Sequence, residues 1–579
     1  MTSQSEESAD HTDQQGGAEH GTDRPRTGGP TRVGALLRAH GVHGRPLRRA
    51  LALLCAGWQP FDEVVRQTAL PRRTVQELVE ALGEDVRHDP RGEVPRLRVA
   101  AELAGDYRRR FGLDTRPPDD PFAELAAAHP DLLATIRADI ADAPPPLPAM
   151  DHVPATAETV LRRALWLAEH YDLTGGRLLC LGDHDLTSLA VCAVNPDVAV
   201  TVVDLDERIL EFIETRAAQR GWNIRCLHAD LRFGFPPSAQ EWADLVFTDP
   251  PYTPEGMALF VGRGVSALRD VANGRVLVAY GYSARNPALG LKVQQEVQRL
   301  GVVFEAVLPG FNRYQGAQAV GSASDLYVCR PTARSAKLAL SGPTPAGTAR
   351  AGAGRSAAGR TGTGRTGIYT HGPQSIEASE PAADVAESVW QRLRELAARP
   401  GSSPAPKPRG PGWDEPVGKG ASALAVDLTG DPGPWLLRTL LACAAGRMAA
   451  LVPNNHPDIG SERAQRDLAD LVAARFQLRF LRSTPDSRHA VVVAEHVPVG
   501  ALDAGGLAVR EVLLRAHGKL GNVWREALVT ASRGELTKRQ ARERVEAHAP
   551  ADVDLDVRLI DLPRHRLAPL LATITTTAS

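Results

Sequence analysis

Long apolar runs are missing from this sequence. None approaches the roughly 20 residues of a membrane span, so no membrane-crossing helix is expected. The opening MTSQSEESADHTDQQGG has neither a basic n-region nor an apolar h-region, which argues against secretion. Cysteine is sparse. The six thiols (Cys55, Cys180, Cys192, Cys226, Cys329 and Cys443) lie in or beside apolar segments, and no two form a CxxC. That excludes a disulfide framework and a zinc ribbon, and the expectation is buried thiols in a reducing cytoplasm. No metal site is expected. Excess charge of either sign is also lacking: 67 Lys and Arg face 69 Asp and Glu, for a net charge of −2. No global field draws the protein to nucleic acid or a membrane, and any basic patch has to be local. Aromatics are only 5% of the 579 residues.

Glycine (52) and proline (44), by contrast, make up about one residue in six, which suggests globular domains joined by spacers. Residues 1–31, polar and Gly-rich, read as a disordered tail. Helical periodicity then appears, with Leu47, Ala50, Leu51 and Leu54 on one stripe and short helices expected at 61–68 and 71–82. A hairpin over 85–100 completes a winged-helix domain at 32–115. Used on DNA, its third helix would present Arg72, Arg73 and Thr74, but Glu77 and Glu80 on the same helix would face phosphates. Nucleic acid is therefore not the favoured partner. Residues 116–150 form a Pro- and acid-rich connector with one short helix. Residues 151–332 alternate helix and strand. Residues 333–420 read as a mostly disordered linker, with Arg350, Arg355, Arg360 and Arg365 spaced by small residues and a helix near 383–397. A C-terminal α/β and helical region occupies 421–579.

Within 151–332, strands separated by helices predict a doubly wound, methyltransferase-type Rossmann-like sheet. Acids cluster at the strand C-termini: Asp183 and Asp185 after the first, Asp204 after the second, Asp230 after the third and Asp249 after the fourth. In open α/β sheets that edge holds the ligand crevice. Asp204 is spaced to hydrogen-bond ribose hydroxyls, and Asp230 to accept from an adenine amine. The first loop, Gly182-Asp183-His184-Asp185, has one glycine and two acids. Such a loop disfavours a ligand carboxylate and suits a cation. Decarboxylated S-adenosylmethionine, with a sulfonium and an ammonium, meets that condition. In Asp249-Pro250-Pro251-Tyr252, two prolines stiffen a turn that aims Asp249 and the Pro250 carbonyl at an amine, with Tyr252 walling the acceptor.

GDHDLTSLA followed by DPPYTPEG resembles the branched-chain polyamine synthases, the bis(aminopropyl)spermidine synthase family. Asp151-His152, Thr156-Ala157-Glu158-Thr159 and FNRYQGAQAVGSASDLY extend the resemblance over about 33–330. It implies aminopropyl transfer from decarboxylated S-adenosylmethionine to a polyamine nitrogen, with Asp249 activating the amine beside Tyr252. It also implies a donor loop at Gly182, Asp183, His184 and Asp185, nucleoside contacts at Asp204 and Asp230, and substrate contacts at Asp151, Glu158, Pro250 and Pro251. His184 stands where the family has an aspartate, and Thr248 precedes Asp249. A cytoplasmic homodimer is expected. The competing readings are an N-methyltransferase using intact S-adenosylmethionine and a winged-helix regulator sensing a nucleoside.

Further on, residues 424–496 echo the second half of the catalytic domain, with Asp431-Pro432-Gly433-Pro434 where DPPY stood. A degenerate half-Rossmann module is expected there. Amphipathic helices near 507–530 and 537–548 and a strand-like DLDVRLIDL should follow, with His517, Lys519 and Trp524 serving packing or an oligomer surface.

Overall fold

The computed structural model describes residues 28–89, 94–113, 121–340, 367–371, 375, 385–399, 401 and 403–578. Two compact units divide the chain, at residues 1–117 and 118–579. No described helix is long and apolar enough to cross a membrane. All six cysteines are free and buried.

In the first unit, α1 (Gly29–His40), α2 (Arg45–Ala56), β1 (Gln59–Pro60), α3 (Phe61–Thr68), α4 (Arg72–Leu82), β2 (Val86–Asp89), β3 (Arg96–Val99) and α5 (Ala101–Phe111) follow in order. The strands form a three-stranded antiparallel sheet, β1-β3-β2. Leu47, Ala50, Leu51 and Leu54 are buried, as their spacing predicts. The α1 helix begins inside the segment read as a tail, started by a proline in its first turn. On α4, Arg73 is paired with Glu77 and Glu80, and Arg72 with Asp62.

The second unit opens with α6 (Pro121–Ala128) and α7 (Pro130–Asp142), two helices where the connector was read to hold one. Then come α8 (Ala157–His170), β4 (Arg177–Leu181), α9 (Thr187–Val194), β5 (Ala199–Asp204), α10 (Glu207–Arg220), β6 (Ile224–His228), β7 (Leu245–Thr248), α11 (Pro254–Ala267), β8 (Arg275–Tyr280), α12 (Pro287–Arg299), β9 (Val303–Arg313), β10 (Ala323–Arg330) and α13 (Ala333–Leu340). They build a seven-stranded sheet in the order β6-β5-β4-β7-β8-β10-β9. The first five strands are parallel, and β10 runs antiparallel to both β8 and β9. An α-helix joins each parallel strand to the next one along the chain except between β6 and β7, which are not neighbours in the sheet, whereas β9 and β10 are joined without an α-helix and so pair antiparallel. The order reverses beside β4, which places the crevice at the C-terminal ends of β4, β5 and β7.

After this sheet come α14 (Glu387–Ala397), β11 (Leu424–Asp427), α15 (Trp435–Ala442), β12 (Arg447–Pro453), α16 (Glu462–Val472), β13 (Phe476–Leu481), β14 (His489–His496), α17 (Ala504–Leu514), α18 (Leu520–Ala531), α19 (Lys538–His548) and α20 (Arg564–Ala578). The sheet β11-β12-β14-β13, with one parallel and two antiparallel pairs, repeats the order and orientation of β7-β8-β10-β9. Three expectations change here. The single helix expected over 507–530 is two, α17 and α18, broken at Gly518, where a side chain would meet Val523 Cγ2 at 2.5 Å. The DLDVRLIDL run is irregular with one 3₁₀ turn, and the isolated antiparallel bridge of Arg558 with Lys519 stands in place of a strand ladder. Within 333–420, α14 falls on the helix expected near 383–397, while α13 and buried Ile368, Tyr369 and Trp413 are additions to the linker reading among the described residues. The arginine-spaced stretch 341–366 lies outside the described residues.

Candidate functional site

The site forms where four parallel strands end. At the end of β4, Gly182 turns the chain with φ +69°, left-handed backbone that favours glycine. The next residues differ from the reading of the loop as a donor cradle. Asp183 accepts from the backbone N–H of Thr187 and Ser188, capping α9. Burial is the main cause raising its carboxyl, to about 7. Asp185 accepts from Ala155 N and from Arg163 Nη1, both at 2.8 Å. Burial raises that carboxyl, but His184 and Arg163 bring it below the usual range. Neither acid lines the cavity, whereas Gly182 and His184 do. The His184 ring stacks on His152 with centroids 4.4 Å apart, and its Nε2 lies 3.3 Å from the Val153 carbonyl and from Asp185 Oδ1. Burial works against protonation of His184, yet Asp185 and Asp249 outweigh it and the net shift is upward. Burial, and secondly the neighbouring His184, lowers His152 to about 2.

Asp249 follows β7 as the first residue of DPPY. Its Oδ2 accepts from Arg163 Nη2 at 2.7 Å and from the Tyr314 hydroxyl at 2.8 Å, and its Oδ1 accepts from the Tyr252 hydroxyl at 3.1 Å. Arg163 and Tyr314 were not assigned roles from the sequence. Arg163 lies among the apolar residues of α8, between Val160, Ala164 and Leu167, and its guanidinium is fully buried. The signal was an arginine inside an apolar stripe. Its Nε donates to Asn312 at 2.8 Å, and its guanidinium sits 4.9 Å from the Phe247 ring centroid. One cation thus serves two carboxylates with opposite outcomes. Asp185 is held low, while burial and the nearby Asp185 charge leave Asp249 raised despite Arg163. Asp249 is therefore the more basic of the two, the property wanted in a proton acceptor. Burial and the Asp249 charge hold the Tyr252 and Tyr314 hydroxyls far above their ordinary range, so both stay protonated donors.

At the end of β5, Asp204 accepts from the N–H groups of Asp183 and Asp206, both at 2.8 Å. Asp230, read as an acceptor for an adenine amine, is already occupied. Arg232 donates to both its oxygens, and Trp435 Nε1 donates to Oδ2 at 3.1 Å. Residues 368–370 form a short strap here, with Ile368 and Tyr369 lining the same small cavity. The Thr253 hydroxyl donates to the Ile368 carbonyl at 2.6 Å, and Thr370 donates to Asp151 through its N–H and its hydroxyl, each at 2.6 Å. The Tyr369 ring lies buried 5.5 Å from the Arg232 guanidinium. Asp151 thus holds this strap and lines the cavity, while Glu158 pairs with Arg137 at 2.6 Å away from it. Pro251 lines the cavity; Pro250 and Tyr252 do not. The space left is about 50 Å³, and its wall carries four aspartates (151, 204, 230 and 249), two histidines and no lysine or arginine. Among the described residues, no group of three or more His, Cys, Asp or Glu side chains is placed to hold a metal ion.

Residues 131–329 match the family described as Branched-chain polyamine synthase A C-terminal domain. An uncharacterized protein of Methanocaldococcus jannaschii is 37% identical over 185 residues, 32% of this chain and 46% of that one. The N(4)-bis(aminopropyl)spermidine synthase of Thermococcus kodakarensis is 34% identical over 193 residues, 32% of this chain and 54% of that one. The chain spans about half the length of these curated relatives. A crystal structure of the branched-chain polyamine synthase from Thermus thermophilus, in complex with N4-aminopropylspermidine and 5'-methylthioadenosine, aligns at TM-score 0.39 and 22% identity, covering 52% of this chain and 92% of that one.

Proposed function

We propose that this protein transfers an aminopropyl group from decarboxylated S-adenosylmethionine to a polyamine nitrogen. The observation that carries the reading is the cavity wall, which carries four aspartates, two of them (Asp249 and Asp230) paired with arginines behind the wall and two (Asp151 and Asp204) bound to no arginine or lysine among the described residues. Such a wall attracts a sulfonium and an ammonium and repels a carboxylate. The relatives' printed name, N(4)-bis(aminopropyl)spermidine synthase, supports the same substrate class. In the transfer, the acceptor nitrogen attacks the propyl carbon next to the sulfonium. The C–N bond forms as the C–S bond breaks, and the sulfur keeps the electron pair in methylthioadenosine. Asp249 takes the proton that the amine gives up, with Tyr252, Tyr314 and Arg163 fixing its oxygens. His184, Gly182 and Asp204 border the donor, and Asp151 and Pro251 lie at the same cavity.

A nucleoside needs far more than 50 Å³, since ligand pockets run to roughly 300–1,000 Å³. In this proposal the 368–370 strap leaves when the donor enters. Asp183 and Asp185 then shape the loop from behind, through the α9 N–H groups and the Arg163 guanidinium that they hold, and are not direct contacts. Two further parts of the reading stand as proposals. One is a winged-helix identity for residues 32–115, supported by helices α1–α5 around a small antiparallel sheet. The other is a homodimer.

Titration of the full chain with decarboxylated and intact S-adenosylmethionine tests the function. The decarboxylated donor is expected to bind about tenfold tighter or more, the value of one relieved carboxylate repulsion in a partly buried site. Equal affinities, with methylated product from the intact compound, would favour the methyltransferase.

A further inference from the structure

A second and larger cavity, about 1110 Å³, opens between the end of β5, the start of α10, and helices α16, α17 and α20. Met150 and Leu205 belong to its wall and to that of the small cavity. Most of its lining comes from residues beyond 329, outside the matched segment. The floor is apolar, with Pro434, Leu471, Val509 and Leu571 among its residues. Seven carboxylates also line it, against two arginines, Arg208 and Arg564.

Several of these acids are already engaged. Asp206 is bound to Arg208, Glu207 to Arg438 and the Arg564 N–H, and Asp503 caps α17. Asp458 is different. It is 3% exposed, and its Oδ1 accepts from Arg564 Nη1, while Oδ2 has no partner among the described residues. A buried carboxylate oxygen left without a donor is costly. On the rim, Glu211 and Asp470 are exposed with no side-chain partner among the described residues, and Asp467 meets only Arg463 at 3.8 Å.

We infer that this cleft binds a linear aliphatic polycation, with one ammonium at Asp458 Oδ2, methylenes along Leu471, Val509 and Leu571, and further ammoniums at the acidic rim. An anion is repelled by the surplus of carboxylates. A neutral apolar ligand would leave Asp458 Oδ2 unpaired. A divalent metal lacks a converging ligand set among the described residues. The inference does not rest on the transfer chemistry, since Asp249 lies outside the cleft wall.

Calorimetric titration of the full chain with spermine tests it, using Asp458→Asn and the exposed double variant Asp467→Asn/Asp470→Asn. The affinity of the cleft should fall about tenfold or more in Asp458→Asn, which removes a charged acceptor. In the rim variant it should fall about two- to fivefold, as for exposed ion pairs. Methylthioadenosine affinity should stay unchanged in both. Because the rim residues are exposed, that variant decides the question even if Asp458→Asn folds poorly. Unchanged spermine binding in the rim variant, or displacement of spermine by magnesium at equal ionic strength as effectively as by a diamine, overturns the inference.

Discussion

Arg163 holds Asp185 and Asp249 at once, and this pairing governs the behaviour of the site's acids. Replacing Asp249 by Asn keeps shape and most hydrogen bonding but removes the proposed proton acceptor. Turnover is expected to fall about 10²–10⁴-fold with donor affinity largely kept, as steady-state rates and calorimetry would read. Arg163→Met has another signature. It strands two buried carboxylates, so the loss should appear first as stability, about 3–5 kcal/mol in urea melts. The acids also set a pH dependence. Burial raises Asp183 to about 7, so the folded state binds more protons than the unfolded state between its ordinary 3.8 and that value. Stability therefore falls as pH rises through this window. His184, also raised, adds in the same direction, since its favourable charge is lost as pH climbs through its folded value. Melts at about pH 6 and about pH 8 should show lower stability at the higher pH, changing by up to about 1.4 kcal/mol per pH unit for each proton. Asp183→Asn should flatten that slope, and an unchanged slope would remove Asp183 from the account.

At the scale of elements, two short segments with similar sequences have different uses. Asp249 ends β7 with its oxygens turned to tyrosines and an arginine. Asp431, after the equivalent strand β11, spends its oxygens on Gly433 N, Trp435 N, Leu436 N and His456 Nε2. The carboxylate that starts α15 is thereby removed from chemistry, as the missing tyrosine in DPGP suggested. The 368–370 strap is the other element-scale device. Its three hydrogen bonds hold one buried ring at the wall of the small cavity, where the proposed donor site lies. Tyr369→Ala is expected to lower the melting temperature of the free protein, since truncating a buried aromatic costs about 3–5 kcal/mol. It should also raise methylthioadenosine affinity several-fold, because less has to be displaced. Weaker binding in that variant would mean that Tyr369 remains beside the ligand.

At the scale of the molecule, both sheets of the second unit share one core. Phe233 meets the rings of Trp413 and Trp435 at 4.9 and 5.2 Å, and Arg225 pairs with Asp554 at 2.6 Å. A chain ending near residue 332 would expose that surface. It is expected to melt at a lower temperature than the full chain and to bind a hydrophobic dye, although every motif acid lies before the cut. The parallel strands, the acids at their ends, the stripe on α2 and the four-stranded echo after residue 424 were legible in the sequence. Each of these follows from periodicity and turn chemistry within a dozen residues or so. Tertiary structure alone decided which acids face the cavity. Asp183 and Asp204 spend their oxygens on backbone N–H groups, Arg163 reaches Asp249 from 86 residues away, and Trp435 occupies Asp230 from 205 residues away. A carboxylate's spacing marks where a strand ends. Its partner is chosen by burial, because an acid removed from water takes whichever donor the fold brings within reach.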